Sequence, residues 1–258
     1  KAKLTTKQFW WMIGITSGIL LFSYNAFSYD LFNYMFDARI VTYHHMDPYA
    51  YKALDFPNDP WINFMRWTHR TYPYGVVWLW LTVPLSFIGF QFFLPTLFLF
   101  KGLMVGAFLG TVYFIGKILD KLAPEEKLFG MAVFALNPLV IIESLVSAHN
   151  DIVMIFFVIL GLYALVTKRY VLALIGFLLS VYIKFINDPL PDILHLVIPL
   201  AISLAILGFW WFAKKGKEIR WDLLFWGGGG FMIAAMFFAS QRTELQPWYF
   251  IWVLPFVA

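Results

Sequence analysis

The 258 residues are 61% hydrophobic and only 13% charged, with a mean hydropathy of +0.73. A soluble domain carries about 25% charged residues, so the chain reads as an integral membrane protein. The net charge of +4 belongs to connecting loops and is no footprint of nucleic acid, and the absence of cysteine excludes a disulfide, a thiolate nucleophile and a zinc-thiolate site.

Apolar windows of roughly 18 to 22 residues, enough to cross about 30 Å of hydrocarbon, fall near 9–29, 96–117, 127–148, 151–167, 170–186, 193–213 and 222–240, and another begins at Trp248. The first, from Phe9 to Phe27, lacks a small-residue cleavage site and reads as a retained signal anchor. No polar block is large enough to fold apart. The expected architecture is therefore an all-α polytopic membrane protein, with residues 1–258 as one transmembrane domain and an outer loop at 30–95. The last window is cut off by the end of the sequence, so further carboxy-terminal helices or a soluble domain are expected beyond it.

A further window, 74–94, is ambiguous because it holds Gly75, Pro84, Gly89 and Gln91 and is followed by Pro95. Loop charge decides it, since cytoplasmic connections carry the excess of Lys and Arg. If 74–94 lies along the interface, Lys1, Lys3, Lys7, Lys117, Lys121, Lys127, Lys168, Arg169, Lys214, Lys215, Lys217 and Arg220 all fall inside, twelve of the nineteen basic residues. If it crosses, most of them move outside. The first topology brings Asp30, the His149-Asn150-Asp151 turn, Lys184 and the 241–248 segment to one outer face.

Ionisable residues at a membrane edge are costly to desolvate and point to a site. Asp30, Tyr34 and Asp37 are spaced by four and three, on one face of a helix expected to continue from the first span. Two carboxylates there suit a general base or a divalent-cation site, or form an acidic helix end meeting water. His149-Asn150-Asp151 joins two windows with almost no loop; it reads as a turn, as a cap for the next span, or as functional, with Glu143 about two turns earlier. Lys101 is expected to snorkel, whereas Lys184 and the forked Arg242 offer cations for a phosphate.

The sequence holds no Gly-rich phosphate loop, no His-Glu-x-x-His motif and no Gly-x-Ser-x-Gly elbow, and the Gly227–Gly230 run reads as helix packing. A transporter or lipid-linked-sugar flippase is the main rival reading, for which only Glu143 is a mid-span carboxylate and Asn137-Pro138 a break. An assembly subunit with merely solvated carboxylates is the third.

Taken in order, several motifs resemble the GT-C superfamily of membrane glycosyltransferases that use polyprenyl-phosphate sugars, most closely the mannosyltransferase-like branches. They are Asp30 to Arg39, Met46-Asp47-Pro48-Tyr49, Thr71-Tyr72-Pro73-Tyr74-Gly75, Ala135-Leu136-Asn137-Pro138, His149-Asn150-Asp151, Lys184-Phe185 and Gln246-Pro247-Trp248-Tyr249. The resemblance implies a GT-C-like helix bundle with juxtamembrane helices in the first outer loop, in a bacterial plasma membrane or ER membrane. It implies inverting transfer of a mannose-like hexose from an undecaprenyl- or dolichyl-phosphate carrier to a hydroxyl of a glycan, lipid or protein acceptor on the outer or lumenal side. Catalytic acids map onto Asp30, the general base, and Asp151. Lys184, Arg242, His149, Asn150, Tyr34 and Asp37 are expected to bind the donor. Asp30, Asp37 and Asp151 would hold Mg or Mn if a divalent cation is used.

Overall fold

A computed structural model describes residues 4–184, 192–216, 218–240 and 246–258. Among the described residues every regular element is helical, as a bilayer demands when no water is at hand to satisfy the backbone. The protein is an all-α polytopic membrane protein.

Helix α1 (Thr6–Leu21) opens on a reciprocal capping box between Thr5 and Gln8. It does not run on into the acidic segment, contrary to expectation: Phe22 and Ser23 bond back to Ile19 and Leu20, residues 22–29 are irregular, and α2 (Asp30–Thr42) starts afresh. Lys101 helps to fix this ending. It does not snorkel; it is 1% exposed and its Nζ donates to the Ser23 carbonyl at 2.5 Å and to Ser23 Oγ at 3.1 Å. An ammonium at the carbonyl end of a helix complements the dipole and the open acceptors there.

α3 (Val76–Ile88) leads through a tight turn into α4 (Phe93–Leu122), whose 30 residues rise about 45 Å. The 127–148 window is not one straight span. α5 (Lys127–Ala135) breaks at Leu136, Asn137 caps a new start by accepting from Leu139, and α6 (Pro138–Ile141) continues into a π-turn over Ile142–Val146, with a 55° bend across the break. Pro138 cannot donate into the preceding turn, so the helix stops and restarts. α7 (Asp151–Val166) and α8 (Tyr170–Lys184) form a hairpin, followed by α9 (Asp192–Lys214), α10 (Trp221–Ser240), a 3-10 turn over Pro247–Trp252 and the short α11 (Leu254–Val257). Among the described residues two helices are long and apolar enough to cross a membrane alone, or three if the bent pair counts as one span. α7 and α8, of 16 and 15 residues, rise about 24 and 22 Å and are short for a full crossing.

Directions within the bundle follow from contacts. Gly110 of α4 lies against the Phe156 ring and Phe114 against Tyr163, so α4 and α7 run the same way. α8 returns antiparallel, its backbone pressed to α7 where Gly176 meets the Phe157 carbonyl and Gly161. The start of α4, the start of α7 and the end of α8 therefore share one end of the bundle. Both ends of α3 lie there too: Gly75 donates to the Ile183 carbonyl at 3.0 Å, and Gly89 abuts Thr96 in the first turn of α4. A Cβ on Gly75 would stand 2.0 Å from the Tyr182 carbonyl oxygen, which leaves no room for any other residue. α3 thus stays on one side.

Candidate active site

At that shared end, α2 delivers Asp30 as its first residue. The Asp30 backbone N–H donates to Ser28 Oγ at 3.1 Å, and Trp67 Nε1 donates to the carboxylate at 3.2 Å. His149 approaches from the opposite wall, with Nε2 2.9 Å from Ser28 Oγ and 3.8 Å from Asp30 Oδ2. The irregular 22–29 segment is tied to the histidine turn by Asn25, whose amide donates to the Ser147 carbonyl at 2.8 Å and to the Ser28 carbonyl at 3.3 Å. Ala148 takes a left-handed conformation at φ 55°, which reverses the chain and turns His149 inward.

The π-turn sets the other side of His149. It carries Glu143 under the ring, with Oε2 2.9 Å from His149 Nδ1, out of line for a well-formed hydrogen bond, while the His149 backbone N–H donates to the Glu143 carbonyl at 3.0 Å. π-turns recur at functional sites. The mid-span carboxylate that suited a transporter thus belongs to the same cluster as Asp30. Trp248 covers the imidazole with ring centroids 4.1 Å apart.

Asp151 does something different from Asp30. Its side chain is 1% exposed and fully engaged: Lys184 Nζ lies 2.7 Å from Oδ1 and donates to Oδ2 at 2.8 Å, and Trp252 Nε1 donates to Oδ1 at 2.5 Å. It does not cap α7, and neither does Asn150, which is fully buried with both ends of its amide unpartnered. Lys184 also faces the Tyr249 and Trp252 rings, at 5.9 and 5.7 Å. Asp30, by contrast, keeps 15% of its side chain open.

Tyr34 and Asp37 extend from Asp30 along one face of α2, as the spacing predicts. Tyr34 packs edge-on against Tyr74 and Trp78, and its phenol is held well above the usual value by burial, then by Tyr74, Asp30 and Asp151. Both carboxylates therefore lie close enough to act on one phenol. Burial pushes the Asp37 carboxyl up to about 7, with Arg70 pulling it back and Asp30 adding to the rise. The three carboxylates expected to hold a cation do not gather: Asp151 is occupied by Lys184 and Trp252, and among the described residues no group of three His, Asp or Glu side chains is placed to ligate one ion. Arg242 lies outside the described residues.

Sequence reasoning missed Ser28, Trp67 and Trp252, and noted Glu143 near the histidine turn without including it among the site residues. The run Arg66-Trp67-Thr68-His69-Arg70 carried a signal, a basic and aromatic cluster inside an outer loop. Arg66 and Arg70 both lie over the Trp67 ring, at 5.6 and 5.2 Å, and neither has a carboxylate at ion-pair distance among the described residues.

The family model of the alpha-(1->6)-mannopyranosyltransferase N-terminal domain matches residues 2–198, a stretch that holds Asp30, the histidine turn and Lys184. The chain belongs to that mannosyltransferase family. No curated protein and no solved structure matches it. The cluster offers a partly exposed carboxylate that accepts from the Trp67 indole, with His149 reaching it through Ser28.

Proposed function

We propose that the protein transfers mannose from a polyprenyl-phosphate carrier to an acceptor hydroxyl with inversion at the anomeric carbon, Asp30 acting as general base. The observation that carries this reading is the difference between the two site carboxylates. Asp151 is spent on Lys184 and Trp252, whereas the Asp30 carboxylate is partly exposed and accepts from the Trp67 indole, with no cation among the described residues paired to it at ion-pair distance apart from His149 at 3.8 Å.

An acceptor hydroxyl is a weak nucleophile at its ordinary pKa, so its attack needs a positioned base as the new bond forms. The acceptor oxygen bonds to C1, the C1–O bond to phosphate breaks on the opposite face, the hydroxyl proton passes to Asp30, and the lipid phosphate departs. Inversion that yields an α-linked product requires a β-linked donor. Charge collecting on the departing phosphate meets Lys184, held at a fixed place by Asp151, and the guanidinium groups of Arg66 and Arg70. The unpartnered amide of buried Asn150 and the phenol of Tyr34 supply further polar contacts for the sugar.

Loop charge supports an extracytoplasmic site. Lys117 and Lys121 at the end of α4 and Lys168-Arg169 between α7 and α8 all lie at the end of the bundle opposite Asp30. A prenyl tail left in the bilayer would bring its phosphate to the height of the α7 start and the α8 end. The test is transfer of radiolabelled mannose from a polyprenyl-phosphate donor in membranes. Asp30→Asn is expected to lower transfer by roughly 10²–10⁴-fold at unchanged expression, and full transfer by that variant removes the proposed base.

A further inference from the structure

The far end of α2 carries a second polar cleft, separate from Asp30. It encloses about 340 Å³ between the last turn of α2 and the 55–60 loop. Nine residues of helix separate Asp30 from Arg39, a rise of about 14 Å, which is several times the reach of one sugar hydroxyl.

The floor of the cleft is rigid. Arg39 Nε donates to Asp59 Oδ2 at 2.7 Å and its Nη1 to the Gln91 carbonyl at 3.0 Å, while its guanidinium is sandwiched between the Tyr43 and Trp61 rings at 3.9 and 4.4 Å. His44 lies flat on Phe56, centroids 3.9 Å apart, with Nε2 2.9 Å from the same Asp59 oxygen. Burial would raise the Asp59 carboxyl, but the bonds from Arg39, the Trp61 N–H and His44 outweigh it and hold it below the ordinary value. The rim is open: Tyr43 is 52% exposed, and Asn58 is exposed and makes no hydrogen bond among the described residues.

The charge count selects the ligand. Arg39 is paired with Asp59, and Asp55 is a second carboxylate in the lining. No surplus positive charge is left for a phosphate or an anionic headgroup. What remains is an aromatic face, an amide and fixed donors and acceptors, a set suited to a neutral polyol whose C–H face lies on a ring and whose hydroxyls both give and accept hydrogen bonds. The loop from Asp59 to Trp67 runs from this cleft to the indole that holds Asp30, with Phe64 and Trp67 exposed along it.

We propose that the cleft formed by Tyr43, His44, Asn58 and Asp59 is a subsite for a neutral sugar unit of an extended acceptor glycan, some residues away from the hydroxyl that reacts at Asp30. The inference rests on the reading of the protein as a mannosyltransferase, and its test reads binding and not transfer, so the two fail separately.

The measurement is equilibrium binding of an α-1,6-linked mannohexaose, of free mannose and of inorganic phosphate to the whole purified chain in nanodiscs. The hexaose is expected to bind, more tightly than mannose, and phosphate not to displace it. Tyr43→Ala and Asn58→Ala are each expected to weaken the hexaose by about tenfold, the worth of one lost stacking or hydrogen-bond contact. Tyr43→Phe keeps the ring and is expected to stay within about twofold of the parent, and Asp30→Asn is expected to bind the hexaose while failing to transfer. Absence of hexaose binding, equal binding by parent and both alanine variants, or displacement by phosphate overturns the proposal.

Discussion

Lys184 and Asp151 meet at 2.7 Å between the end of α8 and the start of α7, with Trp252 donating to the same carboxylate. In the proposed reaction the pair fixes an ammonium beside the site and keeps Asp151 from serving as the base. Breaking one half leaves a buried charge without its partner. Asp151→Ala and Lys184→Ala are each expected to destabilise the protein by about 3 kcal/mol, seen as a lower thermal unfolding midpoint in detergent. An Asp151→Leu, Lys184→Met double variant is expected to recover most of that stability without recovering transfer.

Trp67 bonds the Asp30 carboxylate directly and His149 reaches Asp30 through Ser28, whose Oγ also accepts the Asp30 backbone N–H; neither contact alone is expected to be needed for folding. Trp67→Phe keeps an aromatic ring between Arg66 and Arg70 and deletes the 3.2 Å hydrogen bond. Its kcat is expected to fall by about tenfold, with KM for the donor nearly unchanged. His149→Gln is expected to retain more transfer than His149→Ala, because a side-chain amide still reaches Ser28. Equal activity in the two histidine variants counts against an orienting role.

Asp37 sets a dependence of stability on pH whose sign is opposite to that of an ordinary surface carboxylate. Its pKa is raised from 3.8 to about 7 by burial, opposed by Arg70. Between those values the folded state holds a proton that the unfolded state has released, so this contribution is present at low pH, declines as pH rises across the window and is gone above about 7. Asp37→Asn is expected to flatten the slope between pH 4 and 7 and to raise the unfolding midpoint at pH 8 by a few degrees. A set of thermal scans across that range checks it.

The face of the membrane on which Asp30 acts can be read by labelling, since the chain contains no cysteine. A single cysteine at His69, in the loop beside Trp67, is expected to react with an impermeant maleimide in intact cells. One at Glu125, beyond the end of α4, is expected to react only after the membrane is opened. The reverse pattern inverts the topology and places the site in the cytoplasm.

Composition and periodicity alone determined the class of the molecule, the α7–α8 hairpin and the inclination of 74–94 to lie along one side, because apolar run length and loop charge are local quantities a bilayer reads directly. They also singled out Asp30, His149, Asp151 and Lys184, since polar residues stand out in so apolar a chain. What pairs with what was not legible. Only packing decided that Asp151 is spent on Lys184 while Asp30 stays open, that Lys101 is buried against the end of α1, and that Glu143 sits beneath His149. Those outcomes rest on contacts between residues far apart in the chain, such as Trp67 with Asp30 and Trp252 with Asp151, and on a π-turn after Pro138 that shifts one side chain by a fraction of a turn. A hydrogen bond is made at a distance set by the whole bundle, and no spacing within one segment encodes it.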